Sequence, residues 1–524
     1  MTTMTGKSLI AGEWLTPGGK TFHSFNPYTG ETFNAFNSCG AAEVDVALAA
    51  AAEAYQHMRQ MDGTAVAAFL EALADEIEAL GDELLETCDA ETGLGRVRLT
   101  GERGRTTGQI RAFAAIAAKG EWVEASIDTA IPDRLPVPKP DLRRMMQGIG
   151  PVAVFGASNF PFAFSVAGGD TASALAAGNP VVVKGHPAHP ATSELFARAF
   201  ERAIERTGFP PGVFSLLQSA DHEVGVELAK HPAVQAIGFT GSLRGGRALM
   251  DLAAARPQPI PVYAEMGSVN PVFLGPNTLA NTRDAIAAGL SGSVCMGTGQ
   301  FCTSPGLAIL VEDDGFEEAM RNAMNAAPRG HLLNPGIRDA LATGLERLQA
   351  LAGVEWLNQS DFETDCMTPP NAVFRVPADV FLEEQSLSEE VFGPVTLLVA
   401  CRDEAQVLEV GAGLEGNLTG SIHADDDPEL AAALTGLLEQ KVGRVIFNAY
   451  PTGVEVCPSQ QHGGPYPSSS VSWSTSVGAD AIVRFARFVA WQGAPEDLLP
   501  EVLRNENPLG IYRRVNGELT RAAL

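Results

Sequence analysis

The chain carries 524 residues, with 63 aspartates and glutamates against 36 lysines and arginines and a formal net charge of −27. Nucleic acids and acidic membranes are held by clustered cations that displace counterions, so this balance argues against both as partners. Its seven cysteines are odd in number, widely spread and without a CxxC pair, which fits neither a disulfide framework nor a zinc site.

At about 150 residues per domain the length predicts two or three domains and a large core. The opening "MTTMTGKSLIAGEW" lacks the basic and apolar regions of a signal peptide, and no run of about 18 apolar residues follows, so a cytoplasmic protein is expected. Alanine-rich helices are predicted at 42–58, 64–91 and 101–118, with acids scattered as a solvated face in "EALADEIEALGDELLE". The following "IPDRLPVPKPD" is too proline-rich for regular helix or central strand.

From there strands and helices alternate. "GPVAVFGAS", "PVVVKG", "GVFSLLQ" and "VQAIGFTG" read as buried parallel strands, separated by helices such as "TASALAAGN" and "ATSELFARAFERAIERTG". The expected architecture is a doubly wound α/β domain, whose ligands bind at the carboxyl ends of the strands. Those ends bring Asn159, Lys184, Thr240, Gly241 and Ser242 toward one crevice. "GFTGSLRGG" is neither a dinucleotide fingerprint nor a Walker loop, and gains weight as a phosphate site only beside Lys184, which alone reads as an edge charge.

A second α/β region runs from "YAEMGSVNPVFLG" through "GLAILVEDD" to "GRVIFNAY". Glu265, among small and apolar neighbours, is either a paired core carboxylate or a base tuned by its surroundings. Cys302 stands in "GTGQFCTSPG", among turn formers that leave backbone amides free to face a ligand, a setting that suits a nucleophile. None of the nine histidines is near it in sequence, and nothing around it is papain-like or caspase-like.

In this order the motifs "IAGEWLTPGGKTFHSFNPYTGETF", "SNFPF", "FTGS", "AEMGSVNP", "GQFC" and "EEVFGPV" resemble those of the NAD(P)-dependent aldehyde dehydrogenase superfamily over nearly the whole chain. The resemblance implies an aldehyde dehydrogenase-like α/β fold: a doubly wound cofactor domain (1–125 and 147–263), a catalytic domain (264–470), a β oligomerisation arm (126–146 and 471–495) and a C-terminal tail (496–524). It implies Cys302 as nucleophile, Glu265 as the base for thioester hydrolysis, and Asn159 with the Cys302 amide as oxyanion donors. Lys184, counted with this catalytic set, and Glu390 would hold the riboses, Phe392 would pack beside the nicotinamide, and Thr240, Gly241, Ser242 and Gly246 would meet the pyrophosphate. No metal is required.

Departures from the family pattern sharpen the expectation. "KGHPAHP" places Pro187 where many NAD-preferring members carry a glutamate, so His186 and Lys184 would favour a 2′-phosphate and NADP is expected, with NAD the alternative. "KGHPAHPATSE", "QHGGPYPSS" and "LRNENPLGIYRRVNG" resemble the branch of 2,5-dioxovalerate (α-ketoglutaric semialdehyde) dehydrogenases, with a fatty-aldehyde dehydrogenase as alternative. Phe160, Phe162 and Phe301 are candidate pocket walls or plain packing, and "PYPSSSVS" is a source of donors for a distal carboxylate or a plain loop. A homodimer or homotetramer is expected. The rivals are a non-catalytic scaffold on the same fold, a coenzyme-A-dependent acyltransferase and a thiol esterase.

Overall fold

The computed structural model describes residues 4–359 and 367–524. Three sheets organise them. The first is five-stranded and parallel, in the order Val262–Glu265, Ala236–Thr240, Val152–Phe155, Val181–Lys184, Phe214–Leu217. Its strands are short runs of Val, Ala, Ile and Phe buried on both faces, as helix-covered parallel strands must be. The earliest strand in sequence, Val152–Phe155, lies at the centre, with later strands on both sides, so the topology reverses there and opens a crevice at the carboxyl ends.

The second sheet has seven strands: Glu355–Trp356, Ala372–Pro377, Val395–Cys401, Leu307–Val311, Val272–Leu274, Asn417–His423 and Val442–Phe447, parallel except for the antiparallel Glu355–Trp356 edge. The segments that approach the first sheet, around Cys302 and Glu390, immediately precede strands of the second. One sheet therefore offers its carboxyl ends and the other its amino ends to a shared cleft.

The helical region departs from the sequence expectation. The predicted 64–91 helix breaks at Leu80 into Gly63–Ala79 and Gly81–Thr92, with Gly81 in a left-handed conformation. The next helix begins at Arg96 rather than 101 and runs to Lys119, where Gly120 at φ 74° ends it. The earlier start places Arg98 on the same face as Glu102, Arg105 and Gln109, four and three residues apart in turn.

The third sheet runs Ala486–Gln492, Leu142–Gly148, Ser126–Asp128, Arg513–Val515, Glu518–Thr520. The tail read from sequence as a separate segment thus supplies two strands to the sheet expected from 126–146 and 471–495, closing a small core of Ile127, Leu499, Leu503 and Ile511. Ala486–Gln492 is an edge strand, hydrogen-bonded on one side only among the described residues. No helix among the described residues is long and apolar enough to cross a membrane.

Candidate active site

The loop bearing Cys302 is clamped before any ligand arrives. Gln300 donates from Nε2 to the carbonyls of Gly297 and His331 and accepts from the Leu333 amide. Asn270 donates from Nδ2 to the carbonyls of Cys302 at 2.9 Å and Ser304 at 3.0 Å. Gly299 has φ 65°, and a Cβ there would fall 2.1 Å from the Gly393 carbonyl, so glycine lets the "GQFC" loop close against the "EEVFGPV" loop. These contacts hold the thiol on rigid backbone.

The strand Val262–Glu265 ends in the buried Glu265 carboxylate. Far along the chain, Ser468–Ser470 pair with this strand end: the Met266 amide donates to the Ser468 carbonyl at 2.8 Å, and the Ala264 amide to Ser470 Oγ at 2.8 Å. The serine-rich stretch is therefore a strand-end anchor. What it delivers is His462, whose amide donates to Thr475 Oγ1 and whose carbonyl accepts from the Ser476 amide.

His462 completes a trio that sequence reasoning missed. Its Nε2 lies 3.7 Å from Cys302 Sγ and 3.0 Å from Glu265 Oε1. Ser476 donates to the other carboxylate oxygen at 2.7 Å. Oε1 faces the His462 ring without an aligned donor among the described residues. The signal in the sequence was faint, since His462 is separated from Cys302 by 160 residues and sits in "QHGG", where no apolar period marks it.

Electrostatics sort the roles. Burial pushes the Cys302 thiol well above its ordinary range, and the negative charge of Glu265 adds to the rise. Burial acts the same way on Glu265, but the adjacent His462 ring, the Ser476 hydroxyl and Cys302 together outweigh it and hold the carboxyl below its usual range. An ionised carboxylate thus sits beside a protonated thiol, close enough to take its proton, while both shifts make that transfer uphill until the thiolate is consumed by bond formation.

Beyond this trio opens a cleft of about 860 Å³, lined by Asn159, Lys184, His186, Thr240, Gly241, Ser242, Glu265, Cys302, Glu390 and Phe392. Asn159 donates one amide hydrogen to the Gln300 carbonyl at 3.0 Å, which fixes its side chain next to the thiol loop. Ser242 caps the helix Leu243–Ala254, accepting from the Gly245 amide, so the helix's positive end faces the cleft. Burial lowers Lys184 to about 8, and its Nζ donates to the Ser219 carbonyl. Burial also pushes Glu390 up to about 7.

The other expected site residues divide between the core and the cleft. Gly246 faces away from the cleft, onto Met266, whose Sδ lies 2.5 Å from where a Cβ would stand; its task is close packing of helix on sheet. Phe162 is fully buried against Phe196, with ring centroids 5.4 Å apart, and belongs to the core. Phe160 and Phe301 meet edge to face at 5.0 Å and sandwich the Arg98 guanidinium. His186 lines the cleft as a neutral ring, because burial pushes its pKa well down and its Nδ1 accepts from the Ala188 amide. It offers a donor and no charge to a phosphate.

A thiol beside a buried carboxylate, on the wall of a doubly wound crevice of about 860 Å³, narrows the chemistry to few enzymes. Residues 14–485 match the aldehyde dehydrogenase family. The chain belongs to that family. It is 51% identical to "Alpha-ketoglutaric semialdehyde dehydrogenase 2" of Azospirillum brasilense, covering 98% of this chain and 99% of that protein. It is 44% identical to "Alpha-ketoglutaric semialdehyde dehydrogenase" of Acinetobacter baylyi, covering 99% and 100%. A solved Pseudomonas syringae aldehyde dehydrogenase C mutant, complexed with NAD+ and octanal, superposes with a TM-score of 0.78 at 22% identity, covering 94% of this chain and 98% of that one, which shows the shared fold. This aldehyde dehydrogenase is an NAD(P)-dependent oxidoreductase acting on aldehydes.

Proposed function

We propose that the enzyme oxidises 2,5-dioxovalerate (α-ketoglutaric semialdehyde) to 2-oxoglutarate, with Cys302, Glu265 and Asn159 as its reacting groups and His462 as the residue that positions the first two. The observation that carries the substrate is the near-full-length identity to two proteins of that name. The observation that carries the residues is the Cys302–His462–Glu265 cluster, whose ligating atoms lie within 4.8 Å of one another.

Glu265 takes the thiol proton as Cys302 Sγ bonds to the aldehyde carbon, and the carbonyl electron pair moves to oxygen. The Asn159 amide and the Cys302 backbone N–H stabilise that oxyanion. The cleft's Lys184, Glu390, Phe392 and the capped helix start at Ser242 fit a nicotinamide dinucleotide, which when bound supplies the acceptor for the hydride leaving the aldehyde carbon. With the carbon–oxygen double bond restored, Cys302 holds a thioester. Glu265 first gives up the thiol proton to solvent; its carboxylate then accepts a proton from water as that water attacks the thioester, the carbon–sulfur bond breaks to release the acid, and the proton returns from Glu265 to the Cys302 thiolate.

NADP is favoured over NAD because Pro187 adds no carboxylate beyond that of Asp221, while Lys184 and Arg244 line the cleft as cations. The three sheets serve as cofactor, catalytic and assembly parts, and the edge strand Ala486–Gln492 supports a homodimer or homotetramer through strand addition. A steady-state scan of 2,5-dioxovalerate, succinate semialdehyde and alkanals of increasing length, each with NADP and NAD, tests the reading. It expects kcat/KM for 2,5-dioxovalerate at least about tenfold above the rest. A preference that rises with alkyl length would overturn the substrate.

A further inference from the structure

Arg105 is half-buried near the reacting trio, and its two Nη atoms have no acceptor among the described residues. Both atoms are shielded from solvent. The guanidinium lies over the Phe164 ring, 5.1 Å from its centroid. That ring is 5.9 Å from the His462 ring, and His462 is the residue 3.7 Å from the Cys302 sulfur. The carboxylates that act on Arg105 are those of Glu102, Glu265 and Glu455, with Cys302 also close enough to interact.

Its neighbours are already engaged. Arg98 donates from Nη2 to the Asn159 carbonyl at 2.5 Å and fills the gap between Phe160 and Phe301. Arg444 donates to the carbonyls of Pro451 at 2.9 Å and Gly453 at 3.2 Å, bracing the loop that leads to His462. Glu102, one turn before Arg105, turns Oε1 to the amides of Phe162 and Ala163, at 2.9 and 3.0 Å. Among these arginines, Arg105 alone has both Nη atoms unspent. A cation whose Nη donors are shielded from water and unspent is costly even with carboxylates nearby, so the arrangement points to an anion that arrives from outside.

We propose that Arg105 reads the distal carboxylate of the substrate: with the aldehyde carbon at Cys302, a short ω-oxo acid runs along the Phe164 ring and places its carboxylate on the two Nη donors. This inference rests on the 2,5-dioxovalerate reading above. A planar fork of donors matches a carboxylate bidentately, and the Phe164 ring excludes water from the pair, which strengthens it. An uncharged aldehyde of equal length leaves those donors shielded and unspent, so the same group selects against it.

The test compares wild type with Arg105→Met and Arg105→Lys, using 2,5-dioxovalerate and pentanal at saturating cofactor. A second readout is the concentration of 2-oxoglutarate that half-protects Cys302 from alkylation by iodoacetamide in the full-length enzyme. In Arg105→Met, the ratio of kcat/KM for 2,5-dioxovalerate to that for pentanal is expected to fall about 100-fold, chiefly through KM. Protection by 2-oxoglutarate should weaken in step, and Arg105→Lys should recover part of both. Equal losses on the two aldehydes, or unchanged protection, would overturn the role of Arg105. A wild type that prefers pentanal would instead overturn the substrate reading; in that event protection lost only in Arg105→Met still supports the carboxylate site, and protection unaffected by the change sinks it.

Discussion

Around Cys302 the cofactor wall and the substrate wall of the cleft differ in how their polar groups are spent. On the cofactor side, Ser242 caps its helix, Lys184 donates to Ser219 and the His186 ring accepts from Ala188, so local partners already satisfy much of the surface. On the far side of the thiol, past the Phe164 ring, both Nη atoms of Arg105 are without partners among the described residues. A dinucleotide can come and go over a wall that is complete without it. Across the thiol, a wall with unspent donors stays electrostatically costly until the right acceptor fills it, which is how a site selects a substrate.

If the two walls are separable, removing the nucleophile should silence the chemistry and leave the cofactor side intact. Cys302→Ala is expected to lower turnover by at least about 10⁴-fold while NADP still binds, read by fluorescence titration. Cofactor affinity lost in that variant would show that the walls are coupled through the thiol loop. Glu265→Gln should slow steady-state turnover about 10²- to 10³-fold, with a burst of reduced cofactor near one equivalent if deacylation is the step impaired. Its charge also raises the thiol's pKa, so the pH profile of iodoacetamide alkylation of Cys302 should move to lower pH in this variant. A profile that stays in place would remove the carboxylate from the thiol's surroundings.

The next effect falls on the residue between thiol and carboxylate. His462 helps hold Glu265 below its usual range, so without it the carboxyl should titrate higher and the acidic limb of the kcat profile should move to higher pH. His462→Ala is expected to cost about 10- to 100-fold in kcat at neutral pH. An unmoved acidic limb would leave the histidine as packing.

The sequence made the cofactor wall legible because parallel strands announce themselves as apolar runs and ligands gather at their ends, so Asn159, Lys184, Thr240 and Ser242 were placed from local pattern alone. The substrate wall lacks any such local pattern. The helix Arg96–Lys119 begins in "RVRLTGERGRTTGQ", where glycines and arginines interrupt the apolar period, so its first turn and Arg98 were missed and Arg105 went unread. His462 reaches the thiol only because Ser468–Ser470 pair with a strand end some 200 residues earlier, as the 206-residue separation of the Ala264–Ser470 hydrogen bond shows. Phe162 and Gly246 misled for the converse reason: they stand within recognisable motifs, while their own contacts are with Phe196 and Met266.

The smallest expected effect probes the cofactor wall. Burial lowers Lys184 to about 8 in the free enzyme, so the ammonium is charged below that pH and loses its proton above it. A phosphate or ribose acceptor is held better by the charged form. The dissociation constant of NADP should therefore rise as pH increases through about 8, by roughly tenfold, the scale of one charge-assisted hydrogen bond. In Lys184→Gln the weakening should already be present at pH 7 and the dependence across this window should flatten. Pro187→Glu acts on the same wall by a separate route: a new carboxylate repels a 2′-phosphate and shifts the ratio toward NAD without changing the pH dependence. If both variants weaken NADP and NAD alike, the wall does not discriminate between the cofactors, and selectivity in this enzyme belongs to the substrate side alone.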